Sequence, residues 1–214
     1  MKTLSGIKKY SNGSWVDASI KKRSGSSWVN GGAFKRKNGQ WVNITTQRYT
    51  ETWHSTWTQT YGENDSKRTD YRANMVCQGK YDNIWGIQKS LVGFNNTFQS
   101  KLSGAKIVKV EVYLQAEHWY YTTGGKVVIG AHNHASTPAK FSHSWYHAKS
   151  EDFSARGQGK WIEMPLSFGE ALRDGKYKGF SVFVKSANYT YYGVFYGAGN
   201  GASYKPKIKI TYEK

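Results

Sequence analysis

Residues 107–114 read Ile-Val-Lys-Val-Glu-Val-Tyr-Leu, and this stretch decides the fold class. Val108, Val110, Val112 and Leu114 alternate with Lys109, Glu111 and Tyr113. A period of two with β-branched residues is the mark of a strand with one buried face. Working outward, further strands are expected over 48–61, 75–77, 84–92, 106–115, 126–134, 160–166, 179–185, 189–196 and 205–212. In the first of these, Tyr49, Glu51, Trp53, Ser55 and Trp57 share one face. Two short helices interrupt. One is expected near 96–102. The other follows Ser167, where Ser167-Phe168-Gly169-Glu170 has the form of a capping box and Asp174-Gly175 supplies a stop. Strands at this spacing predict an all-β protein, an antiparallel β-sandwich of jelly-roll type over residues 47–214.

Residues 1–46 follow a different rule. IKKYSNGSWVDAS (7–19), IKKRSGSSWVNGG (20–32) and AFKRKNGQWVNIT (33–45) align without a gap. Trp15, Trp28 and Trp41 recur every 13 residues, each just after a turn pair: Asn12-Gly13, Gly25-Ser26 and Asn38-Gly39. Asn-Gly is the strongest short hairpin signal, so each repeat predicts one small hairpin. Units this small bury almost nothing alone and usually need a staple or a partner. The single cysteine, Cys77, supplies no internal disulfide. The arm is therefore expected to anchor or oligomerise the protein through Trp15, Trp28 and Trp41, giving a homo-oligomer or a contact with other proteins. Its charge is lopsided, with nine Lys/Arg against one acid and so a net +8. Lys8, Lys9, Lys21, Lys22, Arg23, Lys35, Arg36 and Lys37 are the candidate polyanion contacts. The same lysines also suit solvated edge strands.

The whole chain, 214 residues, carries +17 with only 21% charged and 16% aromatic residues, which excludes a disordered polycation. No apolar run is long enough to span a membrane as a helix, so no membrane role is expected. Met1 to Tyr10 is basic with no apolar stretch behind it, so no secretory signal is visible. Gly-x-Ser-x-Gly, His-Glu-x-x-His, Cys-x-x-Cys and phosphate-loop patterns are all missing from the sequence. Glu117, Glu151, Asp152 and Glu163 offer carboxylates, but without a pattern that pairs them. His132 and His134, two apart on an expected strand, are weak metal candidates beside His118, His143 and His147. The reading is non-enzymatic, with no cofactor and no metal. Aromatic residues carry more information. Trp119, Tyr120, Tyr121, Trp145, Tyr146, Tyr191 and Tyr192 fall at expected strand ends and loops, where rings can stack on sugar faces, so they are the candidate carbohydrate contacts. The loop 197–203, rich in Gly, is expected to form a mobile lip beside Tyr196 and Tyr204.

Several stretches carry a family likeness in order along the chain. They are Tyr81-Asp82-Asn83, Phe98 to Leu102, Ile107 to Leu114, Ile129 to Ser136, Gly159-Lys160-Trp161-Ile162, Phe168 to Leu172 and Lys205 to Tyr212. From about 74 to 212 the chain resembles the β-sandwich (jelly-roll, DNRLRE-like) modules of tail and surface proteins of phages and prophages from Gram-positive hosts. The N-terminal repeat is similar to short repeats of phage minor tail proteins. The resemblance implies a jelly-roll sandwich in a virion or a cell-surface adhesin-like protein. It transfers no binding site. With the aromatic loops and the positive charge, the expectation is a tail-associated virion protein, made in the host cytoplasm, that contacts a cell-surface glycopolymer. A purely structural adaptor or decoration protein, a nucleic-acid binder and a wall-polymer depolymerase are the alternatives.

Overall fold

A computed structural model describes residues 8–17, 21–30, 34–37, 39–43 and 47–214, with side chains at 12–14, 25–27, 39 and 47–214. The chain divides into two compact units, 1–48 with Lys214, and 49–213.

In the first unit each repeat forms its own two-stranded antiparallel hairpin. The pairs are β1 (Lys8–Ser11) with β2 (Ser14–Asp17), β3 (Lys21–Ser24) with β4 (Ser27–Asn30), and β5 (Phe34–Lys37) with β6 (Gln40–Asn43). The register repeats as the sequence does: Trp15, Trp28 and Trp41 lie opposite Tyr10, Arg23 and Arg36. Asn12 and Gly13 both have positive φ (50° and 78°), as a type I′ turn requires. In the second repeat only Gly25 does (62°), which suits a II′ turn. The side chains of Trp15, Trp28, Trp41 and of the eight basic candidates lie outside the described residues.

The second unit is all-β and sandwich-like. Ten strands make one sheet, mostly antiparallel. They are β7 (Arg48–Tyr61), β8 (Val76–Lys80), β9 (Ile87–Phe94), β10 (Lys106–Trp119), β11 (Gly125–His132), β12 (Trp145–Phe153), β13 (Gly159–Glu163), β14 (Gly179–Val182), β15 (Gly193–Phe195) and β16 (Lys207–Glu213). Their order is β12-β11-β14-β9-β7-β16-β10-β15-β8, with β13 on β10. Because β8 pairs with β9 as well as β15, the path β9-β7-β16-β10-β15-β8 closes on itself. The two long strands make this possible by changing partners. β10 meets β16 and β13 along its first part and β15 near its end.

Alternation places the core. Val110, Val112, Leu114 and Ala116 of β10 face Ile129 and Ala131 of β11, Phe180 of β14 and Ile208 and Ile210 of β16 within one apolar cluster. A register shift between Ile107 and Lys109 turns Ile107 inward in place of Val108. In β7, Trp53 and Ser55 are buried as expected. From Thr58 to Tyr61 both faces are covered.

The helices need correcting. α1 (Phe98–Leu102) and α2 (Leu166–Arg173) form, and Asp174-Gly175 ends α2 as read. Gly175 takes φ 74°, and the amides of Gly175 and Lys176 bond back to Leu172 and Ala171. The capping box does not form. Pro165 is the N-cap and Ser167 lies inside the helix. Pro165 has a φ of −55°, already suited to helix entry. Two strand expectations also shift. Tyr189–Tyr191 is a 3-10 turn, not strand, and β12 was not expected at all.

The core fixes two test results. The indole of Trp119 fills space in which a Cβ on Gly125 or Gly193 would come within 2.3 and 2.6 Å of ring carbons. Gly125→Ala should therefore cost roughly 1–3 kcal/mol in urea unfolding, the usual range for overpacking. Gly199→Ala, with nothing within 4 Å of the added carbon, should be close to neutral. A fragment of residues 47–214 keeps the backbone pair between Gln47 and Lys214 (3.1 and 3.0 Å) and the whole second unit. It should show one cooperative melting transition by calorimetry, and failure to fold would refute the two-unit division.

Candidate functional site

The predicted carbohydrate contacts separate into three groups. Trp119 (0%) and Tyr192 (1%) are core residues, which takes them out of the surface set. Trp119 ends β10 with its ring against Phe153 and Phe195. Aromatic side chains bury the largest areas, and past Leu114 the inward positions of β10 hold only Ala116 before Trp119 fills the space at its end. Trp145 is half-buried against the core near Tyr177, and Tyr191 is half-buried. Tyr120, Tyr121 and Tyr146 are exposed, at 37, 46 and 44%. Tyr146 lies with His143 and Phe183, apart from the other two.

Tyr120 and Tyr121 belong to a cluster that the fold builds deliberately. The buried Trp119 pins the end of β10, and the Arg156 guanidinium donates to the carbonyls of Trp119 (3.1 Å) and Tyr120 (3.3 Å). Tyr189 is offered by the 3-10 turn, whose start is capped by Asn188 Oδ1 accepting the Thr190 amide at 2.9 Å. The Tyr120 and Tyr189 rings stack at 4.1 Å and 7°. Tyr121 meets Tyr120 edge-on at 5.0 Å, and Tyr81, 53% exposed, bridges Tyr120 (6.3 Å) to Tyr192 (5.0 Å).

Beside this platform lies a groove of about 380 Å³ whose floor is charged. Arg68 is only 5% exposed. Its guanidinium grips Asp70 through two bonds, donates to Gln88 Oε1, and lies 4.6 Å over the Trp85 ring. A buried charge needs such a set of partners. The bond from Arg68 holds the Asp70 carboxyl below the usual carboxylate range. Arg72 donates to the Tyr192 hydroxyl and stacks 5.3 Å over Tyr71, which is 82% exposed. Burial pushes the Tyr192 phenol up to about 12, so it stays protonated. Asp82 Oδ1 accepts the amides of Ile84 (3.0 Å) and Trp85 (3.1 Å), a turn that sets Trp85 over Arg68. Sequence reasoning missed Arg68, Asp70, Tyr71, Arg72 and Trp85. They lie on Arg-Thr-Asp-Tyr-Arg (68–72) and Tyr-Asp-Asn-Ile-Trp (81–85), two segments that the fold brings together and whose local sequence does not mark them as partners.

The other candidates fall elsewhere. Among the described residues no three His, Cys, Asp or Glu side chains converge as metal ligands. His132 is fully buried with both nitrogens used: Nε2 bonds Val92 O at 2.9 Å, and Nδ1 accepts the His134 amide at 3.1 Å. His134 Nε2 is held by Ser142. Glu151 meets Lys160 (2.5 Å) and Lys149, Asp152 meets Lys126, and Glu163 meets Lys109, while Glu117 is exposed. Cys77 is buried, which pushes its thiol up to about 11. The first half of the expected lip is tied down, with Ala198 N–H donating to Thr58 Oγ1 (3.1 Å) and Gly197 N–H to Asn200 Oδ1 (2.8 Å). Among the described residues no helix is long and apolar enough to cross a membrane. No protein-family model matches this sequence, and no curated protein does.

The buried His132 makes a pH test. Burial pulls its pKa from 6.5 down to about 4. Its folded pKa lies below the unfolded one, so the unfolded chain takes up a proton first as pH falls. Stability is complete above 6.5 and is lost progressively toward pH 4. The loss is about 3 kcal/mol for a shift of this size. Burial lowers His118 and His143 in the same direction. Urea titrations across this window should show the decline, and His132→Gln should flatten most of it.

Proposed function

We propose that residues 49–213 are a non-catalytic binding module for a cell-surface glycopolymer, carried in a phage virion as a tail-associated protein. The observation that supports this most is the exposed Tyr120–Tyr189 pair, two parallel rings stacked on each other beside the arginine-floored groove. Pyranose rings present flat C–H faces that pack on the outer face of such a stacked pair, and fixed donors and acceptors beside them bond hydroxyls. Arg68 and Asp70 hold each other rigid, so the groove is built before ligand arrives. The excess of positive charge, +8 of it in residues 1–46, favours capture of a polyanionic wall polymer at long range. Lysine pairing of Glu151, Asp152 and Glu163 supports binding over depolymerisation, since each of these carboxylates is neutralised by a lysine.

A glycan array followed by titration calorimetry tests the reading. The wild-type protein should bind a defined subset of glycans. Tyr189→Ala, which removes one member of the stacked pair, should weaken binding about tenfold, the equivalent of ~1.4 kcal/mol. Absence of any glycan binding, or full affinity in Tyr189→Ala, would overturn it.

A further inference from the structure

The groove does not stand alone. A second hollow of about 230 Å³, walled by Asn64, Asn83 and Ile84, shares Trp85 with it. That hollow in turn shares Glu63 with a third and larger cleft of about 540 Å³. The three follow one another across the loops 62–66 and 82–86, and all are open to solvent.

The far cleft repeats the chemistry of the near one with different residues. Its rings are Phe141 and Phe183, with the exposed Tyr146 5.6 Å from Phe183. Its fixed charge is Lys89, held by Asp65 Oδ1 (2.5 Å) and Glu63 O (3.1 Å) and lying 5.4 and 5.2 Å over the two phenylalanine rings. Asp65 sits in the loop at φ 63°, a backbone conformation in which aspartate is enriched among non-glycine residues. His143 stands in the wall beside Phe141 and Phe183, 5.4 and 5.7 Å from their rings. Each end also has a cation that meets no carboxylate among the described residues: Arg72 in the near groove and Lys185 in the far cleft.

We propose that the ligand is an extended anionic sugar chain lying along this furrow, bound through consecutive units instead of at a terminal sugar. This rests on the glycan-binding reading above. Two ring-lined hollows, each the size of a small-molecule site, with amide and carboxylate groups between them, exceed what one sugar would fill. Arg72 and Lys185 then meet acidic groups on separate units, while Tyr120 and Tyr146 pack against sugar faces at opposite ends. Occupying linked subsites multiplies affinity without new chemistry.

The test uses the full-length protein and oligogalacturonates: the disaccharide, tetrasaccharide and octasaccharide, with their methyl esters as neutral counterparts. Affinity measured by calorimetry should rise at least about tenfold from disaccharide to octasaccharide. The exposed-site variants Lys185→Gln and Tyr146→Ala should each weaken the octasaccharide about fivefold while leaving the disaccharide, seated on Tyr120 and Tyr189, unchanged. The methyl esters should bind more weakly than the acids. If affinity is flat with length, or if both far-end variants bind the octasaccharide normally, the furrow is overturned while the near-groove reading stands. Equal binding of the methyl esters overturns the anionic preference. No binding at any length overturns the anionic furrow, while the near-groove reading stands or falls on the glycan array.

Discussion

The indole of Trp119 is the contact on which the rest depends. Its ring needs glycine at both 125 and 193, because β11 and β15 pass too close to admit a side chain. Gly125 is further constrained by the Thr190 carbonyl, 2.5 Å from where its Cβ would stand. One buried ring therefore sets the separation of β10, β11 and β15 and the seat of the 3-10 turn. Trp119 Nε1 has no hydrogen-bond partner among the described residues, so the ring is held by shape and not by a polar bond. That orphaned donor carries a cost, offset by the apolar area of the largest fully buried side chain. The surface tyrosines inherit their positions from this residue. Tyr120 follows it directly, and its amide donates to Tyr192 O at 3.2 Å.

Closure of the strand path gives the same region its second support. Gln78 on β8 is fully buried. Its Nε2 donates to Lys126 O and Tyr191 O, both at 2.9 Å, and its Oε1 accepts the Val128 amide at 2.7 Å. All the bonding capacity that matters is used, so a polar side chain in the interior joins three elements. Gly79 lies beside it with φ 77°, where a Cβ would come 2.6 Å from the Tyr191 carbonyl. Loops that leave a closed, cross-tied path can hold arginines and tyrosines in fixed positions. The free edges lie elsewhere, at β12 and β13, where Lys160 bonds Glu151 and the Asp152 carbonyl (3.0 Å).

What was legible in the sequence follows from which forces are local. β7 and β10 alternate because one face is buried along most of their length; β7 was read to the residue, and β10 from its correct start but four residues short of its end at Trp119. The three hairpins were legible because turn chemistry is fixed by adjacent residues. β12 escaped because an edge strand of Trp-Tyr-His-Ala-Lys-Ser-Glu-Asp-Phe buries one residue fully, and His147 at φ 55° interrupts it. The Ser167 box failed because proline, two residues earlier, already fixed the helix entry. Trp119 and Tyr192 were read as surface rings because composition gives an aromatic residue no side. Packing against glycines on other strands assigns it. The arginine groove was illegible for the opposite reason. Arg68 and Gln88 lie 20 residues apart, and nothing in either neighbourhood signals the other.

Charge acts on two scales here, and they need not agree. The chain as a whole carries +17, yet the near groove pairs Arg68 with Asp70 and is lined by Asp82 as well as Arg72. Screening confines exposed charges to about 8 Å at physiological ionic strength. The global excess therefore raises the rate of encounter with any polyanion but distinguishes poorly between them. Discrimination has to come from groups already fixed in place. Arg68 spends its donors on Asp70 and Gln88, so it shapes the groove floor, and Arg72, bonded only to a phenol, is the donor left to face a ligand. The stacked tyrosines beside it tolerate any ring with a flat C–H face. On the proposed reading, selectivity falls to the spacing of acidic groups along the sugar chain, which a furrow with a cation near each end is suited to measure.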